Sequence, residues 1–347
     1  MDASLSNPTS AGAPLLEIRG LVKHFPLTAP IGAKRPVVRA VDGIDFRVFA
    51  GETLGVVGES GCGKSTTARL LMNLISPTAG EIIFDGCQVG SSQMPMKTFR
   101  RQVQMVFQDS YASLNPRLTI EDSVAFGPQV HGTPARESLA RAHDLLARVG
   151  LEPSRFAGRY PHELSGGQRQ RVNIARALAL QPRVVILDEA VSALDKSVEA
   201  QVLNLLLDLK AEFGLTYIFI SHDLHVVRYV SDRVMVMYLG EVVEVGPAEQ
   251  LFESPRHPYT QALTQSMPSM DPDHRTERVP LAGDPPNPID PPTGCRFHPR
   301  CPQAAPVCSQ KAPSLTGPHP ADAVSCLMHA PGSGHPMAGT AASGTRS

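Results

Sequence analysis

The chain of 347 residues contains no tryptophan, and aromatic side chains make up only 5% of it. Excess charge is missing as well, since 32 Lys and Arg residues are balanced by 33 Asp and Glu residues, for a formal net charge of −1. A net charge near zero gives no general attraction to nucleic acid, so we expect no nucleic-acid partner. Hydrophobic residues account for 42% of the chain, which is enough for one large domain or two.

Two targeting features are also absent from the sequence. No apolar run approaches the roughly 18 residues that a membrane-spanning helix needs. The first basic residue is Arg19, after a start rich in Ala, Ser and Pro, so the charged front of a secretory signal is missing. We therefore expect a cytosolic chain that reaches a membrane only through its partners.

Cysteine is scarce and unevenly placed. Cys62 and Cys87 are isolated, whereas the other four follow a C-x5-C-x6-C-x17-C spacing near the C-terminus: Cys295, Cys301, Cys308 and Cys326. In a cytosolic protein such a cluster indicates metal or redox chemistry before disulfides. Four thiolates suit an iron–sulfur cluster or a tetrahedral zinc ion, and the lack of a C-x2-C pair counts against zinc. Four unliganded thiols remain the alternative.

A glycine-rich loop is the first positive signal. Residues 58–65 (GESGCGKS) follow a short apolar run at residues 53–57 and precede a helical spacing at residues 66–75. Strand, glycine loop and helix in that order is the context of a phosphate-binding loop, whose backbone N–H groups surround an anion.

The loop predicts a set of nucleotide contacts. We expect Lys64 to bind the β- and γ-phosphates of a nucleotide, the Ser65 hydroxyl to hold Mg²⁺, and Thr66 to bond the α-phosphate. The expected nucleotide-binding residues of this loop are Gly58, Glu59, Ser60, Gly61, Cys62, Gly63, Lys64, Ser65 and Thr66.

Two acids close a second apolar run, residues 184–189 (VVILDE). At the end of a buried strand Asp188 can reach Mg²⁺ through water. Neighbouring strand-end side chains point apart, so Glu189 is free to face an attacking water as general base. A solvated strand end is the alternative for an acid pair taken alone.

Between the loop and the acidic strand lies LSGGQ, residues 164–168. Gly166 and Gly167 carry no side chain, which lets backbone N–H groups approach a phosphate, and Ser165 adds a hydroxyl donor. A helix beginning here would direct its positive end the same way.

With these three motifs in this order, the chain resembles an ABC-type ATPase. The resemblance implies that Gln108 senses Mg²⁺ and water, that His222 contacts the γ-phosphate, and that Phe25 stacks on adenine, although an ordinary core Phe is the alternative there. It also implies that the residues Ser165, Gly166, Gly167 and Gln168 cover ATP held by a second ATPase subunit. Residues 192–195 (SALD) match the loop that crosses to that partner.

The likeness narrows to the ATPase subunits of oligopeptide and dipeptide importers, and it covers about residues 15–330. It rests on residues 108–109, 112–117, 159–165, 257–260 and 294–302. Residues 191–195 (VSALD) are most similar to the second ATPase type of such importers. In this family the C-terminal cysteine motif is associated with a [4Fe–4S] cluster, which would place the metal on Cys295, Cys301, Cys308 and Cys326.

The resemblance also implies partners. They are a second ATPase subunit in a heterodimer, two transmembrane permease subunits and, indirectly, a substrate-binding protein. The chain would then lie peripherally on the cytoplasmic face of the inner membrane. Four positions depart from the family pattern, none of them catalytic: Ser110, residues 125–128 (AFGP), Ala190 and Lys196.

The predicted fold is α/β, a P-loop (RecA-like) ATPase core with an inserted helical subdomain and an appended segment rich in Cys and Pro. We divide the chain into a disordered start at 1–14, an ABC ATPase domain at 15–253 with helices at about 109–163, an importer-type segment outside the core at 254–330, and a disordered tail at 331–347. Predicted strands include an edge strand at 15–22, a strand pair at 37–50, buried strands at 184–187 and 217–220, and a hairpin at 234–245.

The predicted function is hydrolysis of ATP to ADP and phosphate, which energises peptide uptake across a bacterial inner membrane. Nickel complexes or glutathione are alternative substrates. A soluble ABC ATPase in DNA repair or translation is a rival, although such proteins usually carry two cassettes or a long coiled-coil insertion. A regulatory module centred on the cysteines is a third possibility, and the intact Lys64, Asp188, Glu189 and His222 argue against it.

Overall fold

The computed structural model of the chain describes residues 12–28, 30, 35–267 and 283–338. The predicted disorder at residues 1–11 and 339–347 and part of the proline-dense stretch, residues 268–282, lie outside the described residues. The described strands are β1 (Leu16–Pro26), β2 (Val37–Val48), β3 (Thr53–Val57), β4 (Ala79–Phe84), β5 (Cys87–Gln88), β6 (Val103–Val106), β7 (Val184–Asp188), β8 (Thr216–Ile220), β9 (Arg233–Tyr238), β10 (Glu241–Pro247), β11 (Thr316–His319) and β12 (Asp322–Val324).

Helices lie singly or in runs between these strands. They are α1 (Lys64–Leu71), α2 (Met96–Gln102), α3 (Ile120–Val130), α4 (Ala135–Arg148), α5 (Pro153–Phe156), α6 (Gly166–Leu178), α7 (Lys196–Phe213), α8 (Leu224–Val230), α9 (Ala248–Glu253), α10 (Pro258–Gln265) and α11 (Pro306–Gln310). None of the helices formed by the described residues is both long enough and apolar enough to cross a membrane.

The larger sheet has eight strands in the order β11-β12-β10-β9-β3-β8-β7-β6. Its neighbours β9, β3, β8, β7 and β6 run parallel. Every residue of β3, β7 and β8 is buried, as continuous apolar runs predict. Because the carboxyl ends of parallel strands meet at one edge of a sheet, the loops that follow β3, β6, β7 and β8 lie together there. The hairpin predicted at 234–245 is confirmed as β9 and β10.

The smaller sheet is antiparallel, in the order β2-β1-β4-β5, and two predictions about it are wrong. β1 lies between β2 and β4 instead of at an edge, and the predicted strand pair at 37–50 is the single strand β2. The pairing with β1 shifts between Leu21↔Ile44 and Val22↔Asp42. This shift is a β-bulge, and Gly43, with φ +77°, is its extra residue. The dipeptide Asp42-Gly43 is also typical of a turn between two strands, which explains the wrong prediction.

A helical region fills the space between β6 and β7, and no strand forms between residues 109 and 163. The Thr119 hydroxyl caps α3 by accepting from the Asp122 N–H. α4 buries Ala142, Leu145 and Leu146 along one face, as their spacing predicts. α6 packs against both α3 and α4, so the helical unit continues past residue 163 to Leu178.

The C-terminal segment differs from the expectation that it lies outside the core. β12 pairs antiparallel with β10 and so belongs to the larger sheet. Phe297 is 1% exposed, and its ring meets Tyr238 edge-on with centroids 5.3 Å apart and lies 5.4 Å from Tyr259. The high proline content of this segment led to the prediction that it lies outside the core. Phe297 nevertheless belongs to the core.

The predicted disorder of the tail also fails for residues 331–338. Ser333 and His335 are buried. The Ser333 hydroxyl donates to the Leu327 carbonyl at 2.6 Å, and His335 Nε2 donates to the Gln303 carbonyl at 3.1 Å. These side chains fix a stretch of small residues by bonding to backbone 6 and 32 positions away, and its composition does not reveal such bonds.

Candidate nucleotide site

The turn between β3 and α1 is the predicted phosphate loop. Gly58, Gly61 and Gly63 have φ values of 148°, 79° and 112°. A Cβ atom on Gly58 would lie 2.2 Å from the Met237 carbonyl oxygen, and one on Gly63 would lie 2.4 Å from the Ala40 carbonyl oxygen. Packing against β2 and β9 therefore requires glycine at 58 and 63, in addition to any contact that the backbone makes with a phosphate.

Lys64 is folded over this loop. Its Nζ donates to the Gly58 carbonyl at 2.7 Å and to the Glu59 carbonyl at 3.0 Å, and the residue is only 6% exposed. The ammonium group is thus held at the loop that carries the predicted phosphate-binding N–H groups. Ser60 and Gly61 are exposed at the tip of the loop, whereas Cys62 is buried beneath it.

Ser65 and Asp188 are two of the three residues predicted at Mg²⁺, and the third is Gln108. Ser65 Oγ donates to Asp188 Oδ1 at 3.0 Å, and Asp188 is 4% exposed. Burial raises the pKa of Asp188, and the hydrogen bond from Ser65 acts in the opposite direction. A hydroxyl and a carboxylate are ligands that Mg²⁺ prefers, so the pair fits this ion. Among the described residues no group of three or more His, Cys, Asp or Glu is arranged to hold a metal. Mg²⁺ here would therefore complete its shell with phosphate and water oxygens.

Glu189 turns away from Asp188 because its backbone is left-handed, with φ +48°. Its N–H donates to the Ile220 carbonyl at 2.9 Å. Its Oε2 accepts from Gln108 Nε2 at 2.7 Å and lies 3.5 Å from His222 Nδ1. Residues that follow β6, β7 and β8 thus meet at the carboxyl edge of the sheet, and the structure brings together the three residues expected to be catalytic.

The LSGGQ motif begins α6, as predicted. The Ser165 hydroxyl accepts from the Gln168 N–H at 3.3 Å, and Gln168 Oε1 accepts from the Ser165 N–H at 3.0 Å, which is a capping box. No hydrogen bond or ion pair between described residues joins this turn to the phosphate loop of its own chain. A Cβ on Gly167 would lie 2.5 Å from Val198 Cγ1, so packing against α7 also explains this glycine.

Phe25 lies on β1 opposite Val38 and is 37% exposed. The Lys23 ammonium group is 5.0 Å from the centroid of its ring. A partly exposed ring is unlike an ordinary core phenylalanine and is available for stacking. Thr66 lies in the first turn of α1 and is half-buried.

Sequence reasoning missed three residues beside the site. The Tyr259 hydroxyl accepts from the Glu59 N–H at 2.8 Å, and Arg300 donates to both Glu59 carboxylate oxygens at 2.8 and 3.0 Å. Lys196 Nζ contacts Asp223 Oδ2 at 3.0 Å and so links the start of α7 to the residue after His222. These partners are 200, 241 and 27 positions apart, and no local pattern signals such contacts.

The four clustered cysteines line one cavity, which has room for about one water molecule (≈ 10 Å³). All four are free thiols. Burial raises the pKa of Cys295 to about 12 and that of Cys326 to about 11, so both thiols are protonated at neutral pH. Gln303 also lines the cavity, and its buried Oε1 has no hydrogen-bond partner among the described residues. The structure thus gathers the predicted cysteines around one point without arranging them as metal ligands.

A phosphate loop on a parallel sheet, joined to a helical region that begins a helix with LSGGQ, defines an ABC-type ATPase. The sequence matches the family described as "ABC transporter" over residues 41–192 and that described as "Oligopeptide/dipeptide transporter, C-terminal region" over residues 243–308. The chain belongs to the family of ATP-binding subunits of oligopeptide and dipeptide ABC transporters.

Two known relatives are similar in sequence over nearly the whole chain. A probable peptide ABC transporter ATP-binding protein of Sinorhizobium fredii is 51% identical over 320 residues, which cover 91% of this chain and 90% of that protein. The oligopeptide transport ATP-binding protein AppF of Bacillus subtilis is 49% identical over 321 residues, which cover 91% of this chain and 97% of that protein.

Solved structures agree on the fold. CbiO1 of Clostridium perfringens, part of an ABC transporter complex, superposes with a TM-score of 0.59 at 29% identity, over 70% of this chain and 91% of that one. An ATP-binding cassette solved as a dimer in a post-hydrolysis state, with ADP and Pi bound, gives a TM-score of 0.58 at 28% identity, over 67% of this chain and 98% of that one. The predicted P-loop ATPase fold is therefore confirmed.

Proposed function

We propose that this ATPase energises the uptake of oligopeptides or dipeptides from the cytoplasmic face of a bacterial inner membrane. The names of its relatives support the substrate class. The observation that carries the enzymatic role is the hydrogen bond of Gln108 to Glu189, which lies within reach of His222. An acid held in this way beside the phosphate loop suits the activation of water.

The proposed reaction is attack of water on the γ-phosphorus of ATP. Glu189 accepts a proton from the water while the water oxygen bonds to the γ-phosphorus. The bond from this phosphorus to the bridging oxygen breaks, and ADP leaves. Lys64 binds the β- and γ-phosphates, and His222 contacts the γ-phosphate. Mg²⁺, when held by Ser65 and Asp188, would neutralise phosphate charge.

A second ATPase subunit would complete the site. The absence of a hydrogen bond or ion pair between described residues of the LSGGQ turn and of the chain's own phosphate loop supports an action in trans. Ser165 and the first N–H groups of α6 would then face ATP bound by the partner in a heterodimer.

We propose that α3 contributes to the contact with the two permease subunits. Phe126 and Val130 are 59% and 57% exposed, and they lie four positions apart on one face of α3. Tyr111, which is 51% exposed, lies three residues after Gln108. Large exposed apolar side chains mark interaction surfaces, and Tyr111 lies in the segment that joins Gln108 to α3.

Paired variants test the shared site. Lys64→Ala is expected to weaken the binding of a fluorescent ATP analogue to the isolated chain, because it removes the phosphate-binding cation. Ser165→Arg is expected to leave that binding unchanged and to block turnover in the assembled transporter, measured as phosphate release in proteoliposomes. A Ser165→Arg chain that had lost its own ATP binding would contradict action in trans.

We also propose that the four cysteines bind a metal centre, with a [4Fe–4S] cluster as the first expectation and one zinc ion as the alternative. The set of thiols around one point and the orphaned amide oxygen of Gln303 support it. The thiols as they stand are not arranged as metal ligands, so either centre requires them to turn toward the metal. A bound metal would also hold the thiols as thiolates despite their raised pKa values.

Anaerobic purification tests this proposal. The protein is expected to be brown, to absorb broadly in the visible and to contain iron and sulfide. Cys295→Ser with Cys308→Ser should abolish the colour, whereas Cys87→Ser, outside the cluster, should keep it. Colourless protein with one equivalent of zinc would replace the cluster by the single ion, and metal-free protein would leave four free thiols.

A further inference from the structure

One arginine of the C-terminal segment bonds directly to the phosphate loop. Arg300 donates through both terminal guanidinium nitrogens to the two carboxylate oxygens of Glu59, at 2.8 and 3.0 Å. Its side chain is 6% exposed and that of Glu59 is 24% exposed, so water screens this ion pair only weakly. Arg300 also donates to the Gly283 carbonyl at 3.0 Å. A two-point pair of this kind fixes the direction of both side chains.

Glu59 in turn holds the phosphate-binding lysine. Its carbonyl oxygen accepts from Lys64 Nζ at 3.0 Å, and its N–H donates to the Tyr259 hydroxyl at 2.8 Å. The carboxylate, the N–H and the carbonyl of one loop residue are therefore each fixed by a different partner. A rotation of the Glu59 peptide would move the carbonyl that orients the Lys64 ammonium group.

The turn that carries Arg300 is itself anchored. Arg296, four residues earlier and 9% exposed at its side chain, pairs with Asp42 and with Glu241 Oε1, the latter at 2.9 Å. The Cys301 N–H donates to the His298 carbonyl at 3.3 Å within the short 3-10 turn that ends at Arg300. The turn that carries Arg300 is therefore held in place by its own ion pairs and hydrogen bond.

We propose that Arg300 is a positioning residue for ATP binding: acting through Glu59, it holds the phosphate loop and Lys64 in the geometry that binds the β- and γ-phosphates. The proposal rests on the function proposed above. The contacts of Arg300 that the described residues show include none with Gln108, Glu189 or His222. Its loss should therefore weaken ATP binding and leave the chemical step unchanged once ATP is bound.

A second buried pair provides a matched control. Arg233 donates to both carboxylate oxygens of Glu52 at 2.9 and 3.2 Å, with side-chain exposures of 12% and 10%. Glu52 precedes β3 at its amino end, whereas Glu59 follows β3 at its carboxyl end. Arg233→Met therefore removes a comparable ion pair from the opposite edge of the sheet.

The test compares Arg300→Met, Arg300→Lys and Arg233→Met in the full chain. Arg300→Met is expected to raise the Kd for a fluorescent ATP analogue about fivefold or more, a coupling typical of residues in one hydrogen-bonded network. In the assembled transporter KM for ATP should rise in parallel while kcat stays within about twofold. Arg300→Lys, which keeps the charge but loses the two-point geometry, should fall between Arg300→Met and the natural chain. Arg233→Met should lower the thermal midpoint without changing the Kd.

Glu59→Gln and the double variant with Arg300→Met identify the route. If Arg300 acts through Glu59, the two losses of affinity are less than additive. An unchanged Kd in both Arg300 variants, or fully additive losses, would overturn the proposal. If Arg300→Met does not fold, Arg300→Lys and Glu59→Gln still decide the matter. Should the natural chain itself fail to bind ATP, or Lys64→Ala bind it normally, the proposed function would fail instead.

Discussion

Glu189→Gln is expected to lower ATP turnover about a hundredfold or more, because it removes a positioned general base, while ATP binding stays unchanged. The amide has nearly the shape of the carboxylate, so the contacts of this side chain with Gln108 and His222 can persist. Phosphate release by the assembled transporter measures turnover, and titration with a fluorescent ATP analogue measures binding.

Glu253→Gln is a suitable control for this experiment. Glu253 is an exposed carboxylate at the end of α9, and its contact with the exposed Arg228 of α8 spans 3.8 Å. The Glu253→Gln substitution is expected to leave ATP turnover unaltered, because surface substitutions usually have small effects. Turnover by Glu189→Gln above about one tenth of the natural value would be too fast for loss of the base and would assign that role to another group.

Phe297→Ala is expected to lower the free energy of unfolding by about 3–5 kcal/mol, the range for removal of a buried aromatic ring. The ring is 1% exposed and is packed among Tyr238, Tyr259 and His257. Its removal leaves a cavity between the C-terminal segment and the larger sheet. Urea unfolding of the isolated chain, followed by circular dichroism, measures the change.

Phe126→Ala provides the comparison for that prediction. Phe126 is 59% exposed, so its truncation should change the free energy of unfolding by less than about 0.5 kcal/mol. Equal and small effects of the two substitutions would contradict the stabilising role of the Phe297 ring.

The sequence predicts the part of the site that local patterns carry. The phosphate loop is one contiguous run between a buried strand and a helix, and Ser165 with Gln168 forms a capping box that is visible as serine followed three residues later by glutamine. The position of Glu189 beside Gln108 follows from parallel strands whose carboxyl ends meet at one edge. Each of these inferences requires only neighbouring residues and one rule of sheet topology.

The remainder depends on contacts that have no local signal. The bulge at Gly43 keeps β2 continuous through a dipeptide that resembles a turn. Phe297 enters the core from a segment whose proline content suggests the opposite. Arg300 and Glu59 are 241 positions apart and become neighbours only after the sheet has formed. A sequence pattern cannot decide which distant charges pair, because many arginines and acids are available for pairing.

β12 has a consequence for solubility. A chain that stopped at Glu253 would end the larger sheet at β10, a strand rich in valine whose unpaired N–H and C=O groups could pair with strands of other molecules. In the longer chain the edge strand is β11, which is four residues long, exposed along its whole length and interrupted by Pro318, which has no N–H to donate. With the C-terminal segment present, β11 replaces β10 as the edge strand of the larger sheet, and this edge resists pairing with other molecules.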